Sequence, residues 1–258
     1  ACDNLRFDLA GFYYDYKGVL VSNTAQVAGL PVVTLQNAPK AEVYGIDGSF
    51  SYEIVDNFNV RGGATWLHAR YGDGFLYTGS GINPRGTGFN TSSDPLRVLP
   101  NNTVTQDLSG LQMARAPNFT AFLGFDYTIP NEEGGLKLTA NAKYTDSYVV
   151  TNPSVFGGWV TNPADPLFNA ALVGNNTQIL NGTPHVGRAS QQRARQGSFV
   201  LVNASVTWTN PTGNYFVRVW GNNLTDVKYR IHYNPLSAGT YQPIADPLTF
   251  GGTIGYKF

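Results

Sequence analysis

Apolar and polar residues repeat at every second position in eight separate stretches of this chain. That is the period of a β-strand, whose successive side chains leave opposite faces. In the first stretch Leu5, Phe7, Leu9, Gly11 and Tyr13 alternate with Arg6, Asp8 and Ala10 as far as Tyr16, and residues 17–40, small and polar, read as a loop. The second sets Tyr44, Ile46, Gly48, Phe50, Tyr52 and Ile54 against Ala41, Gly45, Asp47, Ser49, Ser51 and Glu53. After the turn Val55-Asp56-Asn57, the third sets Phe58, Val60, Gly62, Ala64 and Trp66 against Asn59, Arg61, Gly63, Thr65 and Leu67. The fourth is the most regular, with Phe119, Ala121, Leu123, Phe125, Tyr127 and Ile129 on one face and Thr120, Phe122, Gly124, Asp126 and Thr128 on the other. Leu136, Leu138, Ala140, Ala142 and Tyr144 form the apolar face of the fifth, opposite Lys137, Thr139, Asn141, Lys143 and Thr145. The sixth runs through Val200, Val202, Ala204, Val206 and Trp208, and the seventh through Tyr215, Val217, Val219 and Gly221, with Phe216, Arg218, Trp220 and Asn222 facing away. The eighth closes the sequence with Phe250, Gly252, Ile254, Tyr256 and Phe258 on its apolar face.

The connections alternate long and short. Residues 17–40, 72–117, 151–197 and 226–245 are long and aperiodic, whereas the links at 55–57, 130–135 and 210–214 are short turns. A structureless stretch as long as 72–117 is foreign to a compact soluble domain. It suits a transmembrane β-barrel, in which one end carries long outer loops and the other short turns. Aromatic residues stand where the two interfacial girdles of such a barrel belong, with Tyr127, Trp208 and Tyr215 at the inner boundary and Tyr13, Tyr144 and Tyr148 at the outer.

Composition supports this picture. The 258 residues include 29 Gly, 15 Tyr, 15 Phe and 4 Trp, and only 13% are charged, against about 25% in an average soluble domain. Net charge is zero and no basic cluster occurs, which speaks against a nucleic-acid surface. No apolar run approaches the roughly 18 residues of a membrane helix. The lone Cys2 has no internal partner for a disulfide. His68, His185 and His232 lie far apart, outside any metal-ligand spacing, and no nucleophile elbow, zinc-protease or phosphate-loop motif is present. Neither a catalytic residue, a metal site nor a cofactor is therefore expected. The Asn-x-Ser/Thr triplets at Asn203 and Asn223 fall in or at strands and read as coincidences of composition.

The segments Asn222 to Tyr229 (NNLTDVKY), Ala116-Pro117-Asn118-Phe119, Ala41 to Asp47 (AEVYGID) and the terminal Tyr256-Lys257-Phe258 resemble the TonB-dependent outer-membrane receptors. The resemblance covers almost the whole chain. It implies an all-β fold, an antiparallel transmembrane β-barrel, of which residues 1–258 supply about eight C-terminal strands. The complete barrel is of the 22-stranded type. The plug domain, the energy-coupling box and about fourteen strands would lie outside this sequence. It further implies residence in the outer membrane of a Gram-negative bacterium, with contact to its lipid. The implied work is import of a scarce small-molecule nutrient, an iron-siderophore complex, cobalamin or an oligosaccharide. The TonB system and the barrel-assembly machinery would act on the full-length protein.

Charged residues of one parity belong in a wet lumen, where most form a solvated wall. Among lumen and loop residues, Arg61, His68, Tyr71, Lys143, Arg218 and Trp220 are candidates for contact with substrate or plug. Phe250, Ile254, Tyr256 and Phe258 are the candidate assembly signal. The competing readings are a small autonomous outer-membrane barrel with a structural or adhesive role, an outer-membrane hydrolase and a soluble β-sandwich lectin. The hydrolase lacks a motif, and the lectin fits poorly with uncharged, aromatic-ended apolar faces.

Overall fold

A computed structural model describes residues 4–27, 30–80, 103–151, 177–180, 183–186, 194–236 and 239–257. Eight strands form one antiparallel sheet in chain order, every neighbour in the sheet being a neighbour in sequence. They are β1 (Leu5–Val27), β2 (Leu30–Val55), β3 (Phe58–Tyr71), β4 (Phe119–Asn131), β5 (Gly134–Thr145), β6 (Phe199–Thr209), β7 (Tyr215–Asn222) and β8 (Thr249–Tyr256). The ladder has two ends, β1 and β8, which are not paired with one another. It is an open sector of wall.

The register keeps the two alternating sets of residues on opposite faces across the whole sheet. Ile46 lies opposite Trp66, Trp66 opposite Phe119, and Val206 opposite both Leu138 and Val219. On the other face Asp47, Thr65, Thr120 and Thr145 line up across four strands. Because a one-residue slip would exchange the two sets, this agreement between ladder and pattern fixes the register. The apolar face is exposed along its length, as a surface meant for lipid must be, with Phe250 and Ile254 on the β8 edge 83% and 81% accessible.

Short turns gather at one end. Asn57 (φ 65°) and Gly213 (φ 74°) take left-handed conformations there. Gly134 (φ 124°) is required as glycine, since a Cβ would strike the Thr209 carbonyl. Aromatic belts follow on the apolar face. Phe58 with Tyr127 (5.6 Å) and Tyr215 with Tyr256 (4.7 Å) mark the turn end, while Tyr13–Tyr44–Trp66 and Phe119–Tyr144 mark the loop end.

The stretch 72–117 is not structureless, since Leu76–Ser80 pairs with Thr103–Asp107, and two other sequence expectations need correcting. Residues 17–40 are not a loop: the β1–β2 ladder continues from Lys17↔Lys40 to Val27↔Leu30, broken only where Gly18 (φ 71°) faces Pro39. Proline has no N–H to give the ladder, so pairing lapses at this one position and resumes in the same register. This long hairpin is held by a buried cluster of Val21, Ala38, Tyr71, Phe75, Tyr77 and Leu108, against the hairpin formed by Leu76–Ser80 and Thr103–Asp107. Fully burying Phe75, Tyr77 and Leu108 contributes about 1.5–3 kcal/mol each, and Tyr77 donates its hydroxyl proton to the Ser22 carbonyl at 2.9 Å. The second correction is Tyr148, which lies beyond the end of β5 and belongs to a cavity described below, not to the outer girdle.

Candidate functional site

The polar face is the place where chemistry can occur, and it is zoned. Toward the turn end Asp126 on β4 receives Arg61 from β3 at 3.7 Å and Lys137 from β5 at 3.6 Å, a charge triad spanning three strands. Further along, Thr65 Oγ1 donates to the Asp47 carboxylate across β2 and β3. Aromatic rings reach over glycines of the neighbouring strand: Phe12 over Gly45, Phe122 over Gly63 and Trp220 over Gly251. Trp220 also donates its indole N–H to Thr253 Oγ1 at 3.3 Å. On β1 the rings of Phe12, Tyr14 and Tyr16 succeed one another at centroid spacings of 5.8 Å along this same polar face.

At the loop end, the segment after β7 is turned back over the wall by one asparagine. Asn223 (φ 51°) is buried. Its side-chain amide donates to the carbonyls of Val227 (3.0 Å) and Asp246 (3.1 Å), and its Oδ1 accepts from Val227 N–H (3.0 Å). Its own backbone N–H donates to Asn203 Oδ1 on β6 at 2.9 Å, and Asn203 Nδ2 donates to Asn141 Oδ1 on β5 at 3.0 Å. Thr225 Oγ1 donates to the Val200 carbonyl at 2.9 Å, and Asp226 Oδ1 accepts from Leu248 N–H at 3.1 Å. Each polar residue of NNLTD after Asn222 thus has a structural partner. The fold this motif imposes sets Tyr229 on Phe199, rings stacked at 4.3 Å and 15°.

A cavity of about 380 Å³ opens there, lined by Arg115, Lys143, Tyr148, Phe199, Tyr229 and Ile231 among others. A second, of about 200 Å³, shares Thr120 and Lys143 with it and reaches Asp47 and Thr65. Arg115 has a left-handed backbone (φ 59°), and its N–H donates to the Val149 carbonyl at 2.7 Å. Among the described residues its guanidinium reaches the carbonyls of Val150 and Ile231 at 3.4 Å each and His232 Nδ1 at 3.5 Å, and no carboxylate. Lys143 has no ion-pair partner among the described residues. Burial raises the Tyr148 hydroxyl above its ordinary pKa, with Tyr229 adding and Arg115 opposing. Tyr148 is therefore a neutral donor beside two cations.

The sequence candidates scatter across this geometry. Arg61, Lys143, Arg218 and Trp220 share the polar face, and of these only Lys143 lines the mouth cavity. His68 sits on the apolar face, opposite Tyr44 and stacked on it at 4.5 Å. Tyr71 is buried in the hairpin cluster, 4% exposed. His68 thus faces away from the polar face, and Tyr71 is enclosed by its hairpin neighbours. Phe250, Ile254 and Tyr256 share the apolar edge face of β8, whereas Phe258 and the side chain of His185 lie outside the described residues. Nothing in the sequence pattern singles out Arg115, and Tyr148 and Tyr229 stand in it only as a girdle residue and as the end of NNLTDVKY. No group of three or more His, Cys, Asp or Glu able to hold a metal forms among the described residues.

A family model described as "TonB dependent receptor-like, beta-barrel" matches residues 3–224. The chain belongs to the TonB-dependent receptor family. Its polar face is accordingly the lumen side and its apolar face the lipid side of a transmembrane barrel. Among solved structures, the ferric yersiniabactin uptake receptor FyuA from Yersinia pestis is similar over 99% of this chain and 28% of its own, with TM-score 0.59 and 13% identity. The siderophore receptor PiuA from Acinetobacter baumannii is similar over 99% and 26%, with TM-score 0.57 and 17% identity. The ferric-catecholate import receptor Fiu from E. coli K12 covers 99% and 25%, with TM-score 0.52 and 18% identity. At such identities the likeness is one of fold. The chain spans between a quarter and three tenths of the length of these receptors. No curated protein matches the sequence. Receptors of this family are transporters, and no enzymatic role attaches to the chain.

Proposed function

We propose that this chain is the C-terminal sector of the wall of an outer-membrane importer, which takes up a scarce small-molecule nutrient with energy delivered through TonB. The supporting observation is the open sheet, with two edges unpaired among the described residues and a polar face in which glycine, serine and threonine recur. An unpaired edge in hydrocarbon leaves a row of backbone donors and acceptors unsatisfied, so the sector requires neighbours on both sides. A plug and the remaining strands, supplied by the rest of the gene product, meet both needs. The relatives named above handle ferric yersiniabactin, siderophores and ferric catecholates, and an iron-siderophore complex, cobalamin or an oligosaccharide is the substrate range for this receptor. Arg61, Arg218 and Trp220 face the lumen and are its contacts with plug or substrate, and the apolar edge of β8, with Phe250, Ile254 and Tyr256, serves as the signal for barrel assembly. The alternative of a small autonomous barrel finds no support in a sheet whose first and last strands are apart.

The test is energy-dependent accumulation. Cells producing the complete gene product are offered ferric siderophores, cobalamin and oligosaccharides in turn, with and without a functional TonB gene. Accumulation of one class that disappears without TonB is expected. Uptake that persists unchanged without TonB, or no accumulation of any class, would contradict the proposal.

A further inference from the structure

Cations on the lumen face of this wall are unequally matched. Near the turn end Arg61 and Lys137 share Asp126. At the mouth Lys143 and Arg115 line one cavity with no carboxylate among its lining residues. Arg115 directs its Nε and Nη2 to carbonyls and keeps Nη1 without a partner among the described residues. A guanidinium has five donors in a planar fork, suited to an anion with two acceptor oxygens. Its left-handed backbone is unusual for a residue with a side chain, and such local strain persists where the surroundings over-determine it, often at ligand sites. Beside Thr120 and Thr145 the rest of the lining is apolar or aromatic, with Phe199, Leu201, Tyr229 and Ile231 forming a floor and roof locked by the Asn141–Asn203–Asn223 chain.

We infer that this cavity is a binding subsite for a small organic anion, whose charged head is held between Lys143 and Arg115 and whose apolar or ring-bearing body lies against Phe199, Tyr229 and Ile231. The inference rests on the importer reading for its orientation toward the outside, but not for its chemistry. A cavity of about 380 Å³ accommodates one ring with a charged substituent, not a large complex. The subsite therefore recognises either a free organic anion or one arm of a larger substrate. Asp47, in the adjoining cavity, sets a boundary by repelling the head from deeper positions.

Equilibrium binding of benzoate to the complete, detergent-solubilised gene product tests this, with benzamide as the uncharged probe of the same shape. Saturable benzoate binding is expected, at least about tenfold tighter than benzamide, because a charge-assisted hydrogen bond is worth more than a neutral one. Lys143→Gln and, separately, Arg115→Gln should each weaken benzoate about tenfold and leave benzamide unchanged. Lys137→Gln, outside the cavity, should leave both unchanged. Heat-modifiable gel mobility identifies the variants that are folded, and Lys143, on a regular strand, keeps the test decisive if Arg115→Gln perturbs its loop. No saturable benzoate binding, equal binding of the two probes, or an undiminished affinity in folded Lys143→Gln would overturn the subsite. These measurements need no energised membrane: loss of TonB-dependent uptake with benzoate binding intact would count against the importer reading alone, and the converse against the subsite alone.

Discussion

Asn203 on β6 accepts the backbone N–H of Asn223 at 2.9 Å and donates to Asn141 at 3.0 Å, so a single side chain fastens the segment after β7 to two wall strands. With both groups of its amide engaged, neither aspartate nor leucine can replace it. Leaving the buried Asn223 N–H without an acceptor costs about 1–3 kcal/mol. Asn203→Leu is expected to release residues 223–231 locally. Hydrogen exchange of those amides in the full-length protein should accelerate by about tenfold or more, with exchange in β4 and β5 unaltered. Unchanged protection at Val227 would remove the latch role.

The two faces of one strand pair should respond oppositely to charge. Leu123 on β4 points to lipid, and Thr139 on β5 points into the lumen opposite Asp126. Leu123→Arg is expected to destabilise the barrel by about 2–4 kcal/mol, whereas Thr139→Arg costs little. Denaturant titrations in bilayers measure both. Equal losses would mean that the assigned faces are wrong.

Most of the wall could be read from the sequence because its lipid side is apolar and its lumen side is not, and that contrast writes period two into the chain. Beyond the membrane the contrast disappears. From Val19 to Ala38 there is no charged residue, and valine and leucine occur at positions of both parities, so a long hairpin resembles a loop. The same physics explains His68 and Tyr71. Alternation carried on from Trp66 puts His68 on the apolar face, and the packing that buries Tyr71 comes from Phe75, Tyr77 and Leu108, whose placement no local pattern encodes. The mouth cavity was hidden for a related reason. NNLTD stands out as a motif, yet its role, bringing Tyr229 to Phe199, depends on Asn203 and Asn141 from strands far away in sequence.

Trp220 and Gly251 are a matched pair. A Cβ at Gly251 would come within 2.5 Å of the Trp220 ring, which lies over that glycine and is tied to Thr253. Gly251→Val should lift the indole from the wall, shifting Trp220 emission to the red in a protein whose other tryptophans are replaced by phenylalanine. The thermal midpoint should fall as well, since large side chains forced into packed sites cost about 1–3 kcal/mol. An unshifted emission maximum would show that the ring does not rest there.

Alkaline pH should loosen the hairpin cluster. Burial pushes the Tyr71 hydroxyl up to about 12 from its ordinary value of 10.0, with Tyr77 adding to the effect and the Ala114 backbone opposing it. The pKa is raised in the folded state, so the folded form holds its proton more tightly. The stability this represents is complete below about pH 10 and is lost as pH rises through about 12, amounting to about 3 kcal/mol at most. Tyrosine Cζ resonances followed by NMR against pH, with Tyr71→Phe giving the assignment, measure it. A Tyr71 midpoint near the ordinary tyrosine value would contradict the buried placement.

Residues 1–258 are, on this account, a sector of wall that cannot close on itself. The most direct measurement is the electrophoretic mobility, before and after boiling, of the isolated 258-residue chain refolded into lipid vesicles. With β1 and β8 as separate edges, the account predicts no compact heat-modifiable monomer, and the same band in both samples. A faster unboiled band of single-chain mass, converted to the slower one by heat, would show that β1 pairs with β8 in a closed barrel and would contradict it.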